Sequence, residues 1–318
     1  MNTKCFSVII ITGASGFIGG ALSTYLFKIK SSNLVLVDFS LPNNTELKDC
    51  NFIYTDNIFS FLDQEKKKVS CIIHLGAITD TTETDINLFN QYNFIYTKNI
   101  WSRCVKYSIP LIYASSAATY GNGKFGFSDN HEIIKLLTPL NLYAKSKNDF
   151  DKYVLGQNKK PPFWCGLKFF NVFGFDESKK GKMSSIVFQS FLRIKKTNEM
   201  LLFKSKDSNF KNGEQCRDFI YIKDVIDVIA FFCKNRNQSG IYNLGTGHST
   251  TYFDLINLVF KSMNKEMRIN YIDMPLELEN RYQYYTQADI SKLRASGYSK
   301  PFTTIETAVD EYITKYLI

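Results

Sequence analysis

The sequence predicts an α/β fold: a doubly wound parallel sheet of the Rossmann type, with a smaller, interwoven C-terminal α/β domain. Three observations predict it. Apolar runs of strand length alternate with longer helical stretches over residues 6–170. Those runs are apolar throughout rather than alternating, as strands covered on both faces must be. And a glycine turn, "TGASGFIGG" (12–20), joins the first strand to the first helix, at the point where such sheets receive a phosphate.

The elements follow in order. "FSVIII" (6–11), "NLVLVD" (33–38), "NFIYT" (51–55), "SCIIHL" (70–75), "PLIYAS" (110–115) and "WCGLKFF" (164–170) are the expected strands. The clearest helices between them cover 84–107 and 143–157. This βαβαβ order builds a doubly wound sheet. After residue 171 the rhythm loosens. A lysine- and glycine-rich loop (174–182) precedes a helix near 183–196, and 204–216 is polar and loop-like. "RDFIYIKDVIDVIAFFCKN" (217–235) reads as a strand and a helix, and the final segment mixes short strands with helices near 251–264 and 304–317. No internal repeat or low-complexity linker separates the halves. The expected division is therefore 1–171 for dinucleotide binding, with 218–240 returning to it, and 172–217 with 241–318 for the substrate.

A chain of 318 residues can bury a large core, and 44% hydrophobic with 22% charged residues is ordinary for a soluble globular protein. No apolar run is long enough to span a bilayer. The N-terminal run leads straight into the glycine turn and reads as a strand rather than a signal peptide. The seven cysteines have no C-x-x-C spacing and sit in apolar stretches. They read as reduced core thiols of a cytoplasmic protein, with neither a disulfide framework nor a metal site. The net charge of +9 admits nucleic acid as a partner. Yet the lysines are spread out, with "QEKKKVS" and "ESKKGKMS" the only dense runs. A small polyanion, such as a nucleotide sugar or a phosphorylated cofactor, fits as well.

The glycines of the turn, Gly13, Gly16 and Gly19, are spaced three apart. Glycine there lets the backbone approach a pyrophosphate seated on the helix N-terminus. The context a dinucleotide site needs is present: a strand before, a helix after, and Asp38 closing the second strand about 20 residues on. Asp38 suggests a hydrogen bond to a free ribose 2′-hydroxyl, hence NAD. Lys48 or another nearby lysine could still accommodate a 2′-phosphate.

The stretch "NLYAKSK" (141–147) supplies the chemistry. On a helix, Tyr143 and Lys147 share a face, and Lys145 points away from them. Removing hydride from an alcohol also requires removing its hydroxyl proton. A free tyrosine, with a pKa of about 10, is a poor base at neutral pH. A lysine ammonium beside it, together with a cationic nicotinamide, favours the phenolate. "ASSAATYG" (114–121) ends the fifth strand at the carboxyl edge, where Ser115 or Ser116 could hydrogen-bond the reacting oxygen.

These pieces, with "HLGAIT" (74–79) and Asn93, resemble the extended short-chain dehydrogenase/reductase superfamily. The later motifs narrow the resemblance. "FFNVFG" (169–174) followed by "KKGKMSS", "RDFIYIKDV" (217–225), "GIYNLGTG" (240–247) and above all "NRYQYYTQADISKLRASGYSKPF" (280–302) are similar, nearly end to end, to the family of heptose 6-epimerases that act on ADP-L-glycero-D-manno-heptose.

The resemblance implies an isomerase. Bound NADP oxidises C6″ of the heptose to a transient ketone, the ketone reorients, and hydride returns to the other face; the product heptose goes to lipopolysaccharide core. It implies Tyr143 and Lys180 as the two acid/base groups, with Ser116 and Lys147 beside Tyr143. It implies cofactor contacts at Gly13, Gly16, Phe17, Ile18, Gly19, Asp38, Phe39, Leu75, Gly76, Ala77, Ile78, Thr79, Asn93, Lys147, Val172 and Lys180. Substrate contacts are implied at Ser116, Asn171, Lys182, Gln189, Phe203, Lys204, Ser205, Lys206, Arg217 and Tyr282. Arg217 suits a diphosphate, because its planar fork binds phosphate oxygens bidentately. The family assembles as a pentamer, so a homo-oligomer is expected, with no nucleic-acid or membrane partner.

The chain departs from the family pattern at several positions. Lys182 stands for the usual Ser, Gln189 for His, and Phe203-Lys204-Ser205-Lys206 for "F-E-G-S". An extra segment surrounds 212–216, and Gln64 replaces a lysine offered to the cofactor phosphate. Two other readings stay open. A nucleotide-sugar 4-epimerase shares the cofactor motifs but needs neither the Lys180 loop nor the 280–302 block. A non-catalytic dinucleotide- or RNA-binding relative fits the basic charge but has no need of Tyr143, Lys147 and Lys180 together.

Overall fold

The structure is a computed structural model that describes residues 7–29, 33–276 and 282–318. Phe6 of the first expected strand, and Asn280 and Arg281 of the 280–302 block, lie outside the described residues. The strands are β1 (Val8–Thr12), β2 (Asn33–Asp38), β3 (Asn51–Tyr54), β4 (Val69–His74), β5 (Leu111–Ser116), β6 (Trp164–Phe169), β7 (Asn171–Phe173), β8 (Met200–Phe203), β9 (Cys216–Tyr221), β10 (Gly240–Leu244), β11 (Ser249–Thr251) and β12 (Ile269–Ile272). Seven form one parallel sheet in the order β10-β6-β5-β4-β1-β2-β3.

Successive side chains of each strand enter opposite cores, which is why the runs carry no alternation. Ile9 and Ile11 pack with Leu22 of α1 (Phe17–Lys28) in one core. Ile10 packs on the other face. That face is covered by Ile58 and Leu62 of α2 (Ile58–Glu65), and beyond them by a long helical segment. The segment runs from α3 (Ile86–Phe89) through a π-type stretch (Asn90–Ile95) into α4 (Tyr96–Tyr107).

Further along come α5 (His131–Leu136), α6 (Leu142–Leu155), α7 (Ile186–Thr197), α8 (Ile222–Lys234) and α9 (Tyr252–Ser262). The Asn141 side chain accepts the Ala144 N–H at 2.8 Å and starts α6 one residue before Tyr143. α8 returns to lie against α1, and β10 then joins the sheet beside β6. This seventh strand is not among the six expected, because "GIYNL" carries the polar Asn243 within a short run. Asn243 is fully buried and satisfied across the fold: its Oδ1 accepts from the Tyr120 hydroxyl at 2.7 Å, and its amide donates to the Phe127 carbonyl at 2.7 Å.

The remaining strands form two small sheets. One has the order β11-β9-β7, and in the other β12 pairs in parallel with β8.

Strand order reverses between β1 and β4, and in such sheets the crevice at the reversal takes the ligand. Register puts Thr12, Val37 and His74 level at that carboxyl edge. Thr12 Oγ1 lies 2.6 Å from His74 Nδ1, and His74 Nε2 lies 2.9 Å from Thr97 Oγ1. Burial, and then the charge of Lys147, holds the imidazole down near pKa 3. A neutral His74 therefore ties β1 and β4 to α4 below the crevice.

Candidate active site

The crevice opens into a cavity of about 760 Å³ along the carboxyl edge. Its floor is the glycine turn. Gly13 has φ +71°, and a Cβ on it would lie 2.6 Å from the Gly76 nitrogen; a Cβ on Gly19 would lie 2.0 Å from the Gly13 carbonyl oxygen. Only glycine fits either place. Gly16 sits at the N-cap of α1, where no side chain caps the helix. The first N–H groups of α1 therefore stay free for an anion.

At the far end Asp38 accepts the Ser15 N–H at 2.8 Å and the Phe39 N–H at 2.7 Å. Of the expected cofactor residues, all but Asn93 line this cavity. Asn93 stands behind the wall and shapes it. Its Oδ1 accepts the Ile78 N–H at 2.8 Å, and its amide donates to the Ile78 carbonyl at 2.9 Å and to Ser146 Oγ at 3.0 Å. It does so from the π-type stretch, a local widening often found at functional sites.

The opening of α6 divides its lysines as the helical spacing predicts. Lys145 is exposed and pairs with Asp149 at 2.5 Å. Tyr143 and Lys147 both line the cavity, and Lys147 donates to the Ala114 carbonyl at 3.0 Å. Burial pushes the ammonium of Lys147 down to about pKa 8, with Asp151 pulling it partly back. The Tyr143 phenol differs from the expectation. Burial raises its pKa, and the hydrogen bond from Ser116, rather than Lys147, offsets part of that rise. Ser116 can serve it because the same oxygen already accepts the Ala118 N–H, at 3.1 Å, leaving its proton free.

Behind these residues lies a buried ion pair that spacing alone could not show. Lys168 and Asp151 both have no exposed side-chain surface and stand 2.7 Å apart. Asp151 also accepts Ser115 Oγ at 2.6 Å and Tyr113 OH at 3.0 Å, and Lys168 also donates to Thr119 Oγ1 at 2.6 Å. Ser115 thus faces inward, and Ser116 is the serine placed beside Tyr143.

The opposite wall comes from β7 and the segment after it. Asn171, Val172 and Lys180 line the cavity, and the Lys180 ammonium stands 5.4 Å from the centre of the Phe17 ring. Burial pushes Lys180 down, and Glu177 opposes it. Lys182 is exposed and outside the lining, as is Gln189, whose amide donates to the Lys182 and Ser184 carbonyls at 3.1 and 2.7 Å.

The other expected substrate residues form a group beyond the cavity. Arg217 is 7% exposed and has no carboxylate partner among the described residues. It lies between the rings of Tyr252 and Tyr282, 5.6 and 5.3 Å from their centres. Tyr252 itself lines the cavity and connects the two regions. Phe203 meets Tyr282 edge to face. Lys204 pairs with Asp273 at 3.2 Å, Ser205 Oγ donates to the Asp207 carbonyl, and the Lys206 N–H donates to Tyr284 OH. Lys48 does not line the cavity. Sequence reasoning passed over Ser40, Thr55, Tyr92, Tyr96, Gln283 and Thr286, all of which do. Among the described residues no cluster of His, Cys, Asp and Glu could hold a metal ion, and no helix is long and apolar enough to cross a membrane.

Known proteins share this architecture. Residues 9–245 match the model of the NAD dependent epimerase/dehydratase family. An ADP-L-glycero-D-manno-heptose-6-epimerase of Fusobacterium nucleatum is 39% identical over 98% of both chains. The crystal structure of the Helicobacter pylori protein of that name matches with a TM-score of 0.79 and 27% identity, over 98% of this chain and 97% of that one. A UDP-glucose 4-epimerase of Thermus thermophilus, solved with NAD, has the same fold at a TM-score of 0.77 and 22% identity, over 97% of this chain and 99% of that one. The chain belongs to the NAD dependent epimerase/dehydratase family, whose cofactor is a nicotinamide dinucleotide and whose substrates are nucleotide sugars.

Proposed function

We propose that the protein is an ADP-glycero-manno-heptose 6-epimerase, an isomerase that inverts C6″ and supplies heptose for lipopolysaccharide core. One observation carries the reading: Tyr143, Ser116, Lys147 and Lys180 line a single cavity together with the glycine turn. The bound dinucleotide supplies the redox chemistry, taking hydride from C6″ and returning it to the other face of the ketone. The turn and the free N–H groups of α1 hold its pyrophosphate. Lys147 spends one donor on Ala114 and has two left for the nicotinamide ribose.

Inversion puts the C6″ oxygen in two places, and one phenol reaches only one of them. Tyr143, steadied by Ser116, exchanges the proton in the first pose. Lys180, entering from the other wall, exchanges it in the second. Asn171, Lys182, Gln189, residues 203–206, Arg217 and Tyr282 hold the ADP-sugar, with Arg217 on the diphosphate. The division of the chain into 1–171 with 218–240, and 172–217 with 241–318, belongs to this proposal, as does assembly into a homo-oligomer with the family's pentamer as its form.

The cofactor follows from charge. The resemblance implies NADP, but the ribose end carries Asp38, and both Asp38 and Asp56 act on Tyr96 in its wall. The lysines of the described lining, Lys147, Lys179 and Lys180, come from α6 and the loop after β7. A 2′-phosphate would meet carboxylate without a cation, so NAD is the cofactor proposed.

The test is to incubate the protein with ADP-heptose of one C6″ configuration and follow both epimers by NMR. Absence of interconversion by cofactor-loaded protein refutes the proposal. Turnover of a C4 epimer pair instead establishes the 4-epimerase reading. Mass analysis of the denatured supernatant identifies the dinucleotide.

A further inference from the structure

Glu177 is a carboxylate that the chemistry above leaves unused. It is fully buried and forms no ion pair with a lysine or arginine among the described residues. Its partners come from three places. The Gly174 N–H at the entry of the lysine loop donates to it at 3.2 Å. At the exit, the Ser185 N–H and hydroxyl donate at 2.5 and 2.8 Å. The Tyr312 hydroxyl, from the C-terminal helix Ile305–Tyr312, supplies a further hydrogen bond. One side chain thus closes residues 174–185 into a ring at its base. Ser185 also caps α7, accepting the Phe188 N–H at 3.3 Å, so the ring is fixed to a helix as well. At the tip, Gly181 has φ 52° and ψ −122°, a turn open only to glycine, and Lys180 immediately precedes it.

We propose that Glu177 is the positioning residue for Lys180: it closes the loop that carries the lysine across the cavity and supplies the carboxylate that balances the lysine's charge. The inference rests on the reading of Lys180 as the second acid/base group. The charged surroundings are sparse. Lys180 shares the cavity with Tyr143 and Lys147 of α6 and rests on Phe17 of α1. Lys179 and Lys182 of its own loop are exposed, and Asp80, on the segment after β4, faces Lys182. Behind Glu177 stand Tyr312, then Asp176 and Tyr221 of β9. Glu177 is the acidic group that acts on Lys180, opposing the effect of its burial.

The test compares wild type with Glu177→Gln, which keeps the shape and removes the charge. Two readouts are taken on cofactor-loaded protein: turnover of ADP-heptose at saturating sugar, and the pH midpoint of Lys180 acetylation, followed by mass spectrometry. The expected result is a kcat loss of at least about tenfold, the scale of a small misplacement of a reacting group. KM and bound dinucleotide stay near wild type, and the acetylation midpoint moves to lower pH. Glu177→Asp restores the charge one carbon short, so its midpoint returns towards wild type while kcat stays reduced.

A Glu177→Gln protein with more than half the wild-type kcat and an unmoved midpoint overturns the proposal. So does a kcat loss with an unmoved midpoint, since that marks a purely structural role. If Glu177→Gln does not fold, Glu177→Asp decides, and more than half the wild-type kcat in it overturns the proposal. Failure of the underlying reading looks different: Lys180→Ala keeps its turnover, whatever the acetylation midpoint of Lys180 does in the Glu177 variants.

Discussion

Replacing Lys168 by methionine strands Asp151 in the core, and the size of the loss follows from the geometry. The two groups stand 2.7 Å apart with no exposed side-chain surface. At an effective dielectric of about 20, that separation corresponds to a gross attraction of about 6 kcal/mol. Two neutral donors, Ser115 and Tyr113, remain on the carboxylate and recover part of it. The loss also has a ceiling. A stranded carboxylic acid of ordinary pKa near 3.9 can bind a proton instead, at a cost of about 4 kcal/mol at pH 7. The expected destabilisation of Lys168→Met is therefore about 3–4 kcal/mol, within the range of broken buried pairs. Lys168→Met with Asp151→Asn removes both charges and leaves the amide oxygen as an acceptor, and should recover at least about 1 kcal/mol of that loss. Urea unfolding at pH 7, with midpoints compared at a common slope, measures both. A loss below about 1 kcal/mol in the single variant, or a double variant no better than the single, would refute the reasoning that Asp151 is a buried charge balanced chiefly by Lys168.

Three further outcomes follow from the site. Tyr143→Phe should keep the fold and the bound dinucleotide but lose at least about a hundredfold in turnover, while Lys145→Ala, on the solvent side, stays near wild type; NMR rate measurements compare them. Gly19→Ala should purify without dinucleotide, because its Cβ would press on the Gly13 carbonyl at 2.0 Å and open the turn; the absorbance of the denatured supernatant reports this. Lys147, held down near pKa 8, is a cation that binds its proton more weakly folded than unfolded. It therefore costs stability below pH 8, by about 3 kcal/mol at 1.36 kcal/mol per unit, and the cost fades as pH rises from 8 towards 10.5. In cofactor-stripped protein, Lys147→Met should be the more stable form at pH 7 and lose that advantage by pH 10; a constant difference across that range contradicts the shift.

The parts of the fold legible in the sequence were those whose signal is local. Five of the six expected strands are buried on both faces, so their residues are apolar one after another, as Ile9, Ile10 and Ile11 show; β3, at the sheet edge, is only partly covered. Tyr143 and Lys147 were legible because helical spacing alone brings them together. Residues whose partners lie far along the chain were not. Glu177, from a loop that reads as solvated, is fully buried because its own loop folds Gly174 and Ser185 onto it and distant Tyr312 stands against it. Asn243 interrupted the run of β10 for the same reason. Lys168 did leave a trace: a lysine inside the apolar run "WCGLKFF" is a charge that must find a partner, but nothing in the spacing named Asp151. Arg217 was named in the sequence through its motif, but its position between two tyrosines was not legible, because Tyr252 and Tyr282 lie far along the chain.

The touching turns at Gly13 and Gly76 also bear on how the molecule comes to be folded. The pyrophosphate seat exists only when β1 and β4, separated in sequence by α1, β2, β3 and α2 and by the 56 residues between Thr12 and Val69, have docked side by side. Such non-local parallel pairing is slow, because the intervening chain must be ordered before any contact rewards it. A dinucleotide therefore has nothing to grip on a partly folded chain and binds only the finished sheet. By mass action it then adds to the stability of that state alone, by about 2.7 kcal/mol at a hundredfold excess over its Kd. Dinucleotide supply during synthesis thus becomes a determinant of how much enzyme survives, and a cell short of cofactor would accumulate less of this protein as well as leaving it idle.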